Sequence, residues 1–244
     1  MTQRNSSHAS IKISIPLCLA FFVCLSSIFL LNREITYGHD YGYFIFRLEG
    51  ISQGLAHGEF PVRIQTSQIN GYGYPVGIMF GDLLYYPAAI PHCFGLSLEN
   101  AYRLILLTVN TVTVFFGYYA FSKLTGSKIY GLFGTSLYTL TYYRLSDITL
   151  RADIEEAFGM AFLPIALLGY FLVLHDNKNI NGEAVKSVIP NWLLLGLSVS
   201  GIIISNVPLT VLCVFFLFLS YIVCLLLFPN VRSLTVLLDL EKQL

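Results

Sequence analysis

Charged side chains are scarce in this chain. They make up 11% of its 244 residues, whereas a soluble globular domain carries about 25%. Half that density cannot cover the surface of a water-soluble fold of this size, so the composition excludes an ordinary soluble domain. The formal net charge is zero, which removes the long-range attraction that draws nucleic acid to a protein. The sequence therefore predicts no nucleic-acid partner.

Patterns typical of metal centres, disulfide frameworks and common enzyme sites are also missing. The five cysteines show no CxxC spacing and four of them lie in apolar runs, so they predict neither a zinc site nor a disulfide framework. The chain has no GxSxG, HExxH or Walker motif. These absences exclude the best-marked classes of hydrolase, metalloprotease and nucleotide-binding enzyme.

Apolar residues, by contrast, reach 55% and gather in runs near the roughly 20 residues that a helix needs to cross a bilayer. Aromatic residues reach 15%, which is typical of membrane-interface belts. The sequence therefore predicts an all-α, polytopic transmembrane bundle of about six spanning helices, with short juxtamembrane helices in a long outer loop. The apolar runs are Ile13–Leu31, Ala101–Ser122, Ile129–Tyr143, Glu156–Leu174, Trp192–Ser205 and Leu209–Phe228.

Two segments between the first two runs have other patterns. Tyr41–Ala56 has apolar residues at spacings of three and four, which predicts a short amphipathic helix. Pro75–Leu96 is apolar but contains three prolines, each of which removes a backbone hydrogen bond. The sequence leaves open whether this second segment crosses the bilayer or lies at its interface. The apolar residues of the amphipathic segment are Phe44, Leu48, Ile51 and Leu55.

The lysines determine the predicted orientation. If Pro75–Leu96 does not cross, the lysines of the later loops lie on the cytoplasmic side with the N-terminus, as the positive-inside rule requires. We therefore expect a multi-pass protein of the cell's inner (plasma) membrane. The predicted regions are a cytoplasmic N-terminus at 1–12, a transmembrane module at 13–228 with outer loops at 32–100 and 144–155, and a C-terminal tail at 229–244.

The first outer loop carries a candidate acid. Gly38-His39-Asp40 follows the first apolar run, and a carboxylate there suits Mg²⁺ or Mn²⁺, which prefer oxygen ligands. A solvated turn or a helix cap is the alternative, since aspartate is a common N-cap residue. Arg47, Arg63 and Arg103 are candidates for binding phosphate through paired hydrogen bonds, and they are equally suited to anchoring at lipid headgroups.

The second outer loop carries six ionisable groups over residues 144–156, directly before an apolar run. Charges at membrane depth are costly and tend to be functional. Acids such as Asp153 and Glu155 also stabilise the first turn of a helix, and Arg151 and Glu155 are spaced to pair within one. The pattern leaves functional and structural interpretations open for Arg151 and Glu156.

The order of four segments carries a family resemblance. They are Gly38–Arg63, Gly71–Gly95, Leu137–Pro164 and Ser205–Thr210. In these segments the chain resembles the bacterial membrane proteins grouped as 6-pyruvoyl-tetrahydropterin synthase-related, which are similar to the wider GT-C superfamily of membrane glycosyltransferases. The chain departs from that pattern at Asn206-Val207-Pro208, where relatives often carry His-Pro, and it has fewer helices than most GT-C enzymes.

The resemblance implies transfer of a sugar from a polyprenyl-phosphate carrier, at the outer face, into a cell-envelope glycan. It implies a divalent cation, Mg or Mn, for some members and none for others. Two alternatives stay open: a non-catalytic or truncated membrane protein that binds a lipid carrier or partner enzyme, and a transporter. The expected site residues are Asp40 and Glu156 as catalytic groups, Arg151, His39, Arg47 and Arg63 at the substrate, and Asp40 with Asp153 at a metal.

Overall fold

Helices form the regular structure of the protein. The computed structural model describes residues 14–32, 38–175, 177–186 and 189–227, and over these ranges the only β structure is two isolated bridges. The all-α prediction is therefore confirmed. The helices are α1 Ile15–Ser26, a 3₁₀ turn Ile28–Leu31, α2 Tyr41–Ala56, α3 Val76–Met79, α4 Tyr86–Cys93, α5 Leu98–Thr125, α6 Lys128–Thr139, α7 Tyr142–Ser146, a π-helical turn Asp147–Arg151, α8 Ile154–Leu174, α9 Asn191–Ser205 and α10 Val207–Leu227.

Three of the described helices are long and apolar enough to cross a membrane: α5 with 28 residues, α8 with 21, and α10 with 20 over Val207–Leu226. Helices α1 and α9 have 12 and 15 residues, about 18 and 22 Å, which is short of the roughly 30 Å of a bilayer core. The predicted run Ile129–Tyr143 is divided between α6 and α7. Six spans stay a prediction, and the predicted regions 1–12 and 229–244 lie outside the described residues.

Pro75–Leu96 forms two short helices, α3 and α4. With eight residues α4 is roughly 12 Å long, so it cannot cross a bilayer. Pro87 lies in the first turn of α4, and Pro91 lies inside the helix. Because each proline lacks a backbone N–H, Pro91 limits the length of α4. Ala88 and Ala89 are fully buried among residues of α2 and α5. This segment therefore packs on the bundle as the non-crossing topology requires.

Helices α5 and α8 run in the same direction. Near their starts, Ala101 and Ile154 share one core cluster, and near their ends Leu124 and Leu172 share another. In the chain, α6 follows α5 and runs back in the opposite direction before α8 begins. The two predicted outer loops therefore meet at one end of the bundle. Which side of the membrane that end faces stays a prediction.

Helix α2 has the same first and last residues as predicted and covers this end of the bundle. Its residues Phe44, Leu48 and Ile51 are buried against α4 and α5. The apolar spacing of α2 is therefore confirmed as a core-facing stripe. Asp40 lies at the start of the helix, and Arg47 lies on its buried side.

Helices α8 and α9 approach each other closely at Gly169. A Cβ atom at Gly169 would lie 2.8 Å from the backbone nitrogen and 2.9 Å from the Cα of Leu195. Because backbone cannot yield locally, Gly169→Ala is expected to lower the free energy of unfolding by about 1–3 kcal/mol. The measurement is loss of helical circular dichroism during SDS titration. Gly196→Ala is the matched control, since a Cβ there meets nothing within 4 Å, and equal losses in both variants would contradict this packing.

Candidate functional site

A short backbone pairing joins the two predicted outer-loop clusters. The N–H groups of His39 and Asp40 donate to the carbonyl oxygens of Leu150, at 3.2 Å, and Arg151, at 2.9 Å. These bonds fix the start of α2 against the π-helical turn that precedes α8. The acid of the first loop and the arginine of the second are therefore neighbours.

Two small residues allow this close approach. A Cβ atom at Gly38 would lie 2.5 Å from the Cβ of Ala152, so only glycine fits there. Ala152 has a φ of 61°, in the left-handed region, and this conformation ends the π-helical turn. Asp153 then caps α8, its Oδ1 accepting from the Glu156 N–H at 2.9 Å.

Arg151 lies at the centre of a cluster of three carboxylates, which we call the Arg151 cluster. Its Nη1 donates to Asp147 Oδ1 at 3.1 Å and to Glu156 Oε2 at 2.6 Å, and its Nη2 donates to Asp153 Oδ2 at 3.0 Å. Glu156 Oε1 also accepts from the Tyr143 hydroxyl at 2.6 Å. These contacts use three of the five N–H donors of a guanidinium. Since the Arg151 side chain is 45% exposed, it can still contact an anion from outside.

Asp147 is the buried member of the Arg151 cluster. Only 1% of its side chain is exposed, and its Oδ2 has no hydrogen-bond partner among the described residues. Burial, together with the negative charges of Glu156 and Asp153, raises the pKa of Asp147 to about 7. Near neutral pH this carboxyl is therefore partly protonated, which reduces the negative charge around Arg151.

Asp40 lies beside the Arg151 cluster at the N-cap position of α2. It is half-buried, and its side chain makes no capping hydrogen bond, so the cap alternative is not realised. Burial raises the pKa of Asp153, and the negative charge of Asp40 adds to this rise. His39 is exposed next to it. The structure thus brings the predicted residues Asp40, His39, Arg151, Asp153 and Glu156 together.

Arg47 lies at the centre of a second, buried cluster, which we call the Arg47 cluster. Its guanidinium donates to Glu155, and to Asp82 Oδ1 at 2.8 Å, and lies 4.7 Å from the centre of the Tyr85 ring. The Tyr85 hydroxyl also donates to Glu155 Oε1 at 2.8 Å. With Arg47 only 1% exposed, these contacts give it a clear packing role, and its predicted contact with phosphate stays a prediction.

Arg63 lies at the edge of the Arg47 cluster: burial raises the pKa of Asp82, and the charges of Arg47 and Arg63 oppose that rise. It is exposed, and its Nη1 donates to the carbonyl oxygen of Gly77 at 3.0 Å. A role at a substrate phosphate stays a prediction for this residue too. The contacts of the described residues give no bond that links Arg63 to the Arg151 cluster.

Three carboxylates of these clusters were not predicted as site residues: Asp82, Asp147 and Glu155. The sequence interpretation gave Glu155 a role at the helix dipole or in a pair with Arg151, whereas the structure pairs it with Arg47. One signal in the sequence could have predicted a buried acid near α2. Arg47 lies on the apolar side of the predicted helix, and a buried arginine requires a buried acid as its partner. For Asp147 the unused signal was its place four residues before Arg151, the spacing of a pair within one helix.

The Arg151 cluster can also be tested for a metal. Asp147, Asp153 and Glu156 offer oxygen atoms within 4.8 Å of one another, a donor set that suits Mg²⁺ or Mn²⁺. Asp40, the first metal ligand that the sequence predicted, is not in this set. The Arg151 guanidinium already donates to all three carboxylates, so a cation and Arg151 compete for the same oxygen atoms.

This end of the bundle therefore presents a half-exposed arginine, held by three carboxylates, beside a half-buried aspartate that makes no cap. Such a combination can hold an anion and accept a proton a short distance away. Comparisons of the chain with protein-family models, with curated proteins and with solved structures found no match.

Proposed function

We propose that the protein is a membrane glycosyltransferase that takes a sugar from a polyprenyl-phosphate carrier at the outer face of the plasma membrane, for cell-envelope glycan assembly. The observation that carries the proposal is the backbone pairing of Asp40 with Arg151. Glycosyl transfer from a phosphate carrier needs a base for the acceptor and a cation for the leaving phosphate. In support, Asp40 and Arg151, one candidate for each role, are backbone neighbours, and the resemblance to GT-C enzymes implies the same two roles.

In the proposed reaction, Asp40 takes the proton from an acceptor hydroxyl. The acceptor oxygen attacks the anomeric carbon of the donor sugar, and the bond from that carbon to the phosphate oxygen breaks, leaving its electron pair on the phosphate. Arg151 donates hydrogen bonds to this phosphate, whose negative charge grows as the bond breaks. Glu156, 2.6 Å from Arg151, holds the guanidinium in position.

Asp147 lowers the negative charge that a phosphate meets at the Arg151 cluster. Three ionised carboxylates around one guanidinium would repel a phosphate. Since the pKa of Asp147 is raised to about 7, a proton on this buried carboxyl removes one of the negative charges near neutral pH. A phosphate approaching the exposed donors of Arg151 then meets a weaker repulsion.

The proposal is tested by measuring binding of a polyprenyl-phosphate sugar to the protein in lipid nanodiscs. Arg151→Gln is expected to weaken binding by about 10- to 100-fold, because it removes charge-assisted hydrogen bonds. Lys178→Gln, at the opposite end of the bundle, removes one positive charge as a control and should bind like wild type. The same assays with added Mg²⁺ and with EDTA show whether a cation contributes.

Transfer to an acceptor is measured on the same samples. Release of polyprenyl phosphate by the wild type supports the enzyme, whereas donor binding without transfer supports the non-catalytic carrier-binding protein. A folded wild type that does not bind the donor, or an Arg151→Gln variant that binds it equally well, contradicts the proposed site.

A further inference from the structure

A cavity of about 240 Å³ opens between α2 and the turn formed by residues 65–74. Backbone hydrogen bonds of 2.9 and 3.1 Å between Gln65 and Tyr74 close the turn. Gln65 Nε2 then donates to the Arg47 carbonyl at 3.1 Å, and Gln68 Nε2 donates to the Phe46 carbonyl at 3.2 Å. Because both glutamines bind the turn to the helix, the cavity is formed before any ligand enters.

Aromatic rings and amide groups line this cavity. Tyr43 and Phe46 come from α2, Tyr74 comes from the turn, and Gln65 and Gln68 supply the amides. Aromatic rings give flat apolar surfaces for the C–H face of a sugar, and amides pair with hydroxyl groups. The volume lies below the roughly 300–1,000 Å³ of pockets for drug-sized ligands, so it suits a single sugar ring.

The charges next to the cavity favour a neutral ligand. Arg47 lines the cavity, but its one positive charge is paired with both Asp82 and Glu155. Because the charge of Arg47 is already balanced and its side chain is only 1% exposed, against 45% for Arg151, the residues that line the cavity offer a phosphate or carboxylate no accessible positive charge.

The cavity lies on the same side of α2 as the proposed base. Asp40, Tyr43 and Arg47 are spaced by three and four residues, so they follow one face of the helix. The seven residues from Asp40 to Arg47 correspond to about 10 Å along the axis. Asp40 does not line the cavity, but an oligosaccharide that occupies it with one unit is long enough to span this distance.

We propose that this cavity binds a neutral sugar unit of the acceptor glycan and so directs an acceptor hydroxyl toward Asp40. The inference rests on the proposed function, because it names the acceptor side of the same site. Sugar binding can nevertheless be measured in the absence of donor and of transfer.

The test is saturation-transfer NMR on the full chain in nanodiscs, with methyl glycosides, short neutral oligosaccharides and octyl glucoside as probes. Tyr74→Ala is expected to weaken binding by roughly 2- to 10-fold, the contribution of one aromatic contact. Tyr72→Ala is the matched control, because Tyr72 belongs to the same turn, is 91% exposed and does not line the cavity. Phe46→Ala, on the helix wall, should weaken binding equally without altering the turn.

Several results would overturn the inference. The first is that the folded wild type binds no neutral glycan, and the second is that the Tyr72 and Tyr74 variants bind equally well while Phe46→Ala has no effect. The inference also fails if a sugar phosphate binds more tightly than the neutral sugars, or if only the alkyl protons of octyl glucoside show saturation. Glycan binding that depends on Tyr74 or Phe46, in a protein that neither binds donor nor transfers sugar, supports the cavity assignment and contradicts the proposed enzyme.

Discussion

Arg47→Met is expected to lower the free energy of unfolding by about 3–5 kcal/mol, the cost of leaving buried charges without their partner. The side chains of Asp82 and Glu155 are only 4% and 8% exposed, and both receive hydrogen bonds from Arg47. Methionine fills much of the same volume but offers them no donor. The measurement is loss of helical circular dichroism during SDS titration, supported by the thermal midpoint in detergent.

Two variants separate charge from packing in this prediction. Combining Arg47→Met with Asp82→Asn and Glu155→Gln should restore most of the lost stability, since neutral side chains tolerate burial better than unpaired carboxylates. Lys128→Met, which removes an exposed cation at the start of α6, away from both clusters, should change the free energy of unfolding by less than about 0.5 kcal/mol. A loss below about 1 kcal/mol for Arg47→Met alone would show that the buried pairs contribute little.

Local spacing predicted which segments are helical better than it predicted where each helix ends. The prediction for α2 gave the correct bounds because its apolar stripe is regular. Helix α5, Leu98–Thr125, extends three residues beyond the predicted run Ala101–Ser122 at each end, because the Ser97 cap and Gly126, with a left-handed φ of 66°, set its bounds rather than hydropathy. The run Ile129–Tyr143 carries no such signal at its interruption, so hydropathy alone could not predict that it divides into α6 and α7.

The clusters at the candidate site depend on contacts between distant residues, which periodicity cannot predict. Glu155 and Arg47 are separated by 108 positions, and either residue alone is consistent with a solvated charge. Yet Arg47 follows Phe44 by three residues and precedes Ile51 by four, so helical geometry placed it on the buried face. Its burial was therefore predictable, whereas its acidic partners were not.

Two consecutive acids at the start of α8, Glu155 and Glu156, belong to different clusters. Successive residues of a helix differ in direction by roughly 100°, so Glu155 and Glu156 point to different neighbours. Glu155 joins the buried Arg47 cluster, and Glu156 joins the half-exposed Arg151 cluster. The buried ion pairs thereby fix the first turn of α8, and we infer that they position Arg151 indirectly through Glu156.

Asp40→Asn is expected to lower the rate of sugar transfer by about 10²- to 10⁴-fold, the usual contribution of a general base. Asparagine keeps the size of the side chain, and Asp40 makes no capping hydrogen bond that could be lost, so α2 should remain folded. Donor binding should stay near the wild-type value, because Arg151 and its three carboxylates are unchanged. The comparison of initial transfer rates with donor affinity therefore separates a base from a phosphate ligand.

Glu49→Gln is the matched control for Asp40→Asn, because Glu49 is a half-buried acid nine positions further along the same helix. It should transfer sugar at the wild-type rate. Glu156→Gln tests the positioning role: it should weaken donor binding as well as transfer, since it loosens Arg151, which Glu156 contacts at 2.6 Å. If Asp40→Asn and Glu156→Gln both transfer sugar at full rate, the chemistry does not take place at this end of the bundle.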